Sequence, residues 1–241
     1  MKGYGQFCSV ARVLDLLGER WTLLLVRELL SGTSQFNDFR RGIPRISRTM
    51  LAQRLRELLD HGVIVRTDDG RAPAYALTEA GLELARTVRE LGTWGQRWLP
   101  RDLPRSELDA EALLWDVQRR VDQEKLPSRP IVVRIELTGS SKQAAKFLLL
   151  RRSEVSLCGE NPGFPVEVEL SAPLRTMTAW WRGDISFPQA RAAGLELRGR
   201  KELLKAFPTW FARYVFSDVS AVRLGEAHGT DSVPFKRRER A

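Results

Sequence analysis

The sequence predicts two domains: a mainly α domain built on a helix-turn-helix with a β-hairpin wing, then an α+β domain with a mostly antiparallel sheet and packed helices. Three observations lead there. The 241 residues exceed the needs of one ordinary domain, and a composition of 43% hydrophobic and 29% charged residues is that of a globular protein. A short helix, a Gly42-Ile43-Pro44 break and a second helix are followed at once by two strands around an Asp-Gly turn. Beyond the proline-flanked, charged stretch 100–106, helical period gives way to alternation, strands first and helices later. The expected division is 1–99, a linker at 100–106, a second domain at 107–224 and a basic, disordered tail at 225–241.

Residues 9–17 form an amphipathic helix closed by Gly18, and 19–30 a second closed by Gly32, with Trp21, Leu24, Leu25, Glu28 and Leu29 as its main face. Residues 35–41 make one or two turns with Phe36 and Phe39 inward. The helix over 46–59 starts at Ser47, whose hydroxyl suits an N-cap, and Met50 three residues on rules out a capping box. Leu51, Leu55 and Leu58 fall on one side of it, and Thr49, Gln53 and Arg56 on the other. Taken alone, this is equally a recognition helix or an ordinary surface helix, so its neighbours decide. Val63–Thr67 and Ala74–Thr78 around Asp69-Gly70 form the hairpin, with Arg71 at its tip placed for a minor groove or a phosphate. Thr78 caps a helix over 79–98 that holds an internal Gly92 and the apolar residues Leu82, Leu84, Ala85, Val88, Leu91, Trp94 and Trp98. With nothing long after it to pack on, it reads as a dimer helix.

The formal net charge of +9 suits a polyanion but does not separate nucleic acid from anionic membrane. Distribution is more telling. Between Arg40 and Arg56 stand Arg40, Arg41, Arg45, Arg48, Arg54 and Arg56 and no acid, and this run coincides with the helix pair. Thr49, Gln53 and Arg56 are the candidates to face bases, because arginine to guanine and glutamine to adenine are the usual bidentate pairs. Arg40, Arg41, Arg45, Arg48 and Arg54 are the candidates to hold phosphates.

The first domain resembles the HxlR family of bacterial winged-helix regulators over residues 4–98. The likeness is carried by Phe7-Cys8-Ser9-Val10-Ala11-Arg12, Leu17-Gly18-Glu19-Arg20-Trp21-Thr22-Leu23-Leu24, Phe36-Asn37-Asp38-Phe39-Arg40, the stretch 46–58, and Tyr75-Ala76-Leu77-Thr78-Glu79-Ala80-Gly81. The resemblance implies a homodimer, a double-stranded DNA operator with two-fold symmetry, and a cysteine near the N-terminus that in some relatives senses oxidants or electrophiles. Cys8 stands at that place. It lacks the proline that often follows in the family, and the alternative is that it is a small buried hydrophobe.

In the second domain a helix is expected over 107–123. Strands are read at 131–138 and 166–170, a hairpin pair at 145–151 and 154–158, and helices at 174–182, 187–193 and 201–215. The run Met177 to Ala190, Gly194 to Gly199 and Leu203 to Phe207 make the region 107–217 similar to the sterol-carrier-protein type of lipid-binding domain. What that implies is an apolar tunnel for a hydrophobic ligand, with Trp180, Trp181, Phe187, Phe207, Trp210 and Phe211 as its candidate lining. Core packing is the alternative for any of these aromatics.

Cys8 and Cys158 are too few for a disulfide framework, and neither a cleavable signal nor an apolar run of transmembrane length is present, so the expectation is a cytoplasmic protein. Only His61 and His228 could supply imidazole. With no Ser/His/Asp set, phosphate loop or metal cluster, the sequence predicts no catalytic residues, no metal and no cofactor. Asp184 and Glu196 read as helix-start and strand-face residues. The expected function is a DNA-binding transcriptional repressor whose second domain senses a hydrophobic small molecule. The alternative is a lipid or hydrophobic-metabolite carrier whose winged helix is an interaction module.

Overall fold

A computed structural model describes residues 3–67, 73–139 and 145–222. Helices α1 (Ser9–Leu17), α2 (Thr22–Leu30), α3 (Phe36–Gly42) and α4 (Arg48–Asp60) precede strands β1 (Ile64–Thr67) and β2 (Ala74–Leu77) and helix α5 (Glu79–Trp98). β1 and β2 pair antiparallel with Ile64 opposite Leu77, which makes the wing. The core of this region is aliphatic: Leu25, Val26 and Leu29 of α2 meet Leu51, Leu55 and Leu58 of α4, with Phe39, Ile43, Ile46 and Ile64 between them. α2 starts later than expected. Trp21 takes a left-handed φ of 82°, which breaks helical phase between Glu19 and Thr22.

The second region contains α6 (Ala110–Arg119), β3 (Ile131–Thr138), β4 (Lys146–Leu150), β5 (Val155–Cys158), β6 (Val166–Pro173), α7 (Leu174–Arg182), α8 (Phe187–Ala192), β7 (Glu196–Gly199) and α9 (Lys201–Ala206). Its strands form one sheet in the order β5-β4-β3-β6-β7. The expectation of a mostly antiparallel sheet is corrected, because the sheet is mixed and its central pair, β3 with β6, is parallel. The expected order of strands before helices is corrected too, since β7 lies between α8 and α9. One sheet face, with Ile131, Val133, Ile135 and Leu137 of β3, packs against α6, α7 and the aromatic residues after α9.

Two helices are shorter than the periodicity suggested. Asp109 accepts from the Ala112 amide at 2.9 Å and fixes the start of α6. Beyond its end Val121 bridges Phe211, and Asp122 N–H donates to Trp210 O at 2.7 Å, which draws the chain out of the helix. α9 stops at Ala206 and tightens into a 3-10 turn over Phe207–Trp210, where Pro208 lacks the N–H a continuing helix needs.

The two regions are docked against each other. α5 has a packing partner after all: a Cβ at Gly92 would lie 2.0 Å from the Phe216 ring, so only glycine lets that ring sit on the helix. Gln96 of α5 donates to Arg182 O at 3.2 Å and accepts from the Arg182 guanidinium at 3.1 Å. The expected linker is pinned as well, with Arg101 paired to Asp184 at 3.1 Å and Asp102 paired to Arg175. Among the described residues no helix is long and apolar enough to cross a membrane.

Candidate nucleic-acid interface

α4 is the element to which the site belongs. The Ser47 hydroxyl accepts from the Met50 amide at 3.1 Å and starts the helix, and His61 ends it with Nδ1 at 2.8 Å from Glu57 O. Leu51, Leu55 and Leu58 are fully buried and clamp the inner face. At 100° per residue Thr49, Gln53 and Arg56 then fall within an arc of roughly 60° on the outer face, and all three are exposed. The arc presents a hydroxyl, an amide and a guanidinium, groups able to meet both acceptors and donors on base edges. Gln53 Nε2 donates to Glu57 Oε1 at 3.0 Å, a solvent-facing bond that reading a base would exchange.

The arginines divide sharply. Arg40, Arg48 and Arg56 are exposed and make no ion pair among the described residues. Arg54 is a correction. Its side chain is 6% exposed and bonds Glu19 Oε2 at 2.6 Å, Glu57 Oε2 at 2.5 Å and Arg20 O at 3.2 Å, so it ties α4 to the turn before α2 and offers nothing to a phosphate. Burial raises the Glu57 carboxyl, but the hydrogen bonds from Arg54 and Gln53 outweigh it and hold the group below the usual range. Arg41 and Arg45 are exposed but turn toward the second region: Arg41 lies over the Trp115 ring at 5.0 Å and pairs with Asp38 at 3.7 Å, and Arg45 donates to Ser106 O. Arg71 lies outside the described residues. Arg66 is exposed on β1.

Where the regions meet, sequence reasoning missed a whole cluster. Glu28, placed on the apolar face of α2, is fully buried and accepts from Arg119 Nη1 at 2.8 Å, Arg27 Nη2 at 2.7 Å and Thr33 Oγ1 at 2.9 Å. Burial raises its pKa, yet the Arg119 hydrogen bond and the charges of Arg27 and Arg119 hold it below the ordinary carboxylate value. A Cβ at Gly42 would come within 2.3 Å of that carboxylate, so α3 closes on Glu28 through glycine. Asp116 receives Arg119 at 2.9 Å, Arg120 at 3.0 Å and Trp181 Nε1 at 2.7 Å. Asp184 does not start a helix. Ser186 caps α8 in a capping box with Gln189, while Asp184 sits between Arg101 and Arg182 with its carboxyl pushed up by burial against their charges.

Beside this cluster lies a cavity of about 510 Å³, walled by α2 and α5 on one side and by α6, α7 and residues 214–216 on the other. Of the six aromatic residues assigned to a ligand, Trp181 is in its wall and the other five are not. Trp180, Phe207, Trp210 and Phe211 are buried core, and Phe187 packs on Trp180 at 5.3 Å between centroids, so these side chains fill space rather than line it. Cys8 is exposed at the N-cap of α1, and the backbone N–H groups of Ala11 and Val10 lower its thiol pKa. Among the described residues no group of three or more His, Cys, Asp or Glu side chains could hold a metal ion.

A family profile described as HxlR-like helix-turn-helix matches residues 16–103. An uncharacterized HTH-type transcriptional regulator of Mycobacterium tuberculosis is 42% identical over 96 residues, which are 39% of this chain and 60% of that relative's length. The uncharacterized HTH-type transcriptional regulator YdeP of Bacillus subtilis is 36% identical over 39% of this chain and 76% of its own length, and the HTH-type transcriptional regulator YodB of the same organism 35% identical over 35% and 78%. Among solved structures, the reduced form of YodB is 32% identical over 38% of this chain and 93% of its own, with a TM-score of 0.34. Through its N-terminal region, this chain belongs to the HxlR-like helix-turn-helix family.

Proposed function

We propose that the protein is a cytoplasmic DNA-binding transcriptional regulator, a repressor, that binds a two-fold operator as a homodimer. The observation that carries this reading is the outer face of α4: Thr49, Gln53 and Arg56 are exposed together on a helix whose opposite side is locked into the core. Arg40 and Arg48 flank that face and supply phosphate contacts, and Arg71, which lies between β1 and β2 in the sequence, is assigned the same role. The relatives' description as HTH-type transcriptional regulators supports the reading. Titration of the chain against its own upstream DNA and against random duplex at several salt concentrations tests it, the expected result being tighter binding to the former and a steep salt dependence of both. Equal affinity for the two duplexes would overturn it.

The dimer reading rests on exposed apolar surface. On α5 Leu82, Leu91 and Trp94 are 57%, 51% and 58% exposed, and Phe7, Val10 and Val13 at the start of the chain are open as well. The functional division at 1–99 and 107–224 is supported by the two separate cores, and a ligand-sensing role of the second unit lies outside Trp180, Phe207, Trp210 and Phe211, which fill its core. The exposure and lowered pKa of Cys8 support a thiol-sensing role. Solved forms of YodB include reduced, quinone-bound and diamide-treated ones.

A further inference from the structure

The basic surface at the N-terminal end of α4 does not stop at the helix-turn-helix. The turn between α3 and α4 is fixed by Ile43 and Ile46, both buried, with Ile46 N–H donating to Ile43 O at 3.2 Å, and it leaves Arg45 exposed between them. Arg45 donates to Ser106 O, so residues 105–107 lie within one arginine side chain of that turn. Those three residues form a 3-10 turn of their own, held by Glu107 N–H on Pro104 O at 2.9 Å and Leu108 N–H on Arg105 O at 3.3 Å. The helix that follows, α6, packs on α3, with the Trp115 ring under the Arg41 guanidinium at 5.0 Å.

On the 3-10 turn Arg105 is exposed and makes no ion pair among the described residues, the condition in which Arg40 and Arg48 also stand. Arg45 has a carbonyl and no carboxylate as its partner. Of the acids nearby in the chain, Asp38 pairs with Arg41 at 3.7 Å, Asp102 pairs with Arg175, Asp109 caps α6, and Glu107 lines the junction cavity, whose wall does not include Arg105. A helix-turn-helix presents the N-terminal end of its recognition helix to the groove, with backbone phosphates beside it, so a free guanidinium next to that end meets a phosphate.

We propose that the DNA-contacting surface continues past the helix-turn-helix onto residues 105–107, where Arg105 holds a backbone phosphate next to the one held by Arg45. The inference rests on the regulator reading and goes beyond it, because Arg105 lies outside the stretch 16–103 that the family profile matches and is an addition made by this chain. A contact to the backbone raises affinity for every duplex and reads no sequence.

The test is fluorescence-anisotropy titration of the full chain against its own upstream DNA and against random duplex at several salt concentrations. Arg105→Ala is expected to weaken both duplexes alike and to lower the salt slope by about one, and Arg45→Ala combined with Arg105→Ala by about two. Arg191→Ala, which removes an exposed arginine from α8 and the same unit of charge, is expected to leave the slope unchanged. An unchanged slope in Arg105→Ala, a loss confined to one duplex, or an equal drop in Arg191→Ala would overturn the site. Arg48→Ala separates the two readings: a slope lowered by it and not by Arg105→Ala leaves the regulator reading standing and overturns this site alone. A parent chain that binds neither duplex would overturn both.

Discussion

The outer face of α4 and the junction between the two regions use arginine for opposite ends. On α4, Arg48 and Arg56 stand in solvent without an ion pair among the described residues, available to a partner. At the junction Arg119 is 17% exposed and bound to Glu28 and Asp116, holding the molecule's own halves together. Arg54, on the same helix as Arg48 and Arg56, belongs with the junction set by its chemistry. A count of basic residues along the chain therefore overstates what is offered to a polyanion. Which carboxylates each guanidinium already holds decides the matter.

The strongest way to break that contrast is Glu28→Ala. It leaves Arg119 and Arg27 facing a buried gap, and a loss of about 3–5 kcal/mol in unfolding free energy is expected by chemical denaturation. Because the folded Glu28 pKa is depressed, its contribution is complete above the ordinary carboxylate value and disappears as pH falls through the lower folded value. The Glu28→Ala variant should thus lose the part of the acid-side stability decline that the parent shows. Next comes Arg54→Ala, expected to cost about 3 kcal/mol of stability with little change in the salt slope of DNA binding measured below its melting point. A slope reduced as much as by Arg48→Ala would return Arg54 to the phosphate set. Gln53→Ala should lose about 1–3 kcal/mol of discrimination between specific and random duplex and keep its stability. Arg48→Ala should weaken all DNA alike and lower the salt slope by about one. The smallest effect concerns Cys8, which should alkylate faster than the half-buried Cys158 under native conditions, with its rate rising at a pH below that of a free thiol, as followed by mass spectrometry.

Much of the first region was legible in the residues. Ser47 and Thr78 as caps and the spacing of Leu51, Leu55 and Leu58 are local signals, and each is met in the structure by a short-range bond or a buried face. The exposed triad of α4 follows from the same periodicity. The junction was not legible, since Glu28 and Arg119 are 91 positions apart and nothing in either neighbourhood names the other. An acid on an otherwise apolar helix face was the visible half of that pair. The aromatic residues misled for a related reason: sequence shows that Trp180, Phe207 and Phe211 are apolar but not whether they touch each other or a ligand, and they touch each other. The parallel pairing of β3 with β6 was equally hidden, because alternation in a strand is the same in either direction.

The seat of Phe216 on Gly92 bears on how such chains could be recombined. A helix-turn-helix unit from a relative with alanine or anything larger at that position would bring its fold and its α4 face intact, yet the second region could not settle on its α5. Fusion by the linker alone would join the two units without uniting them. In this architecture the residue that licenses the partnership is the one with no side chain, and a designer of chimaeras would begin there.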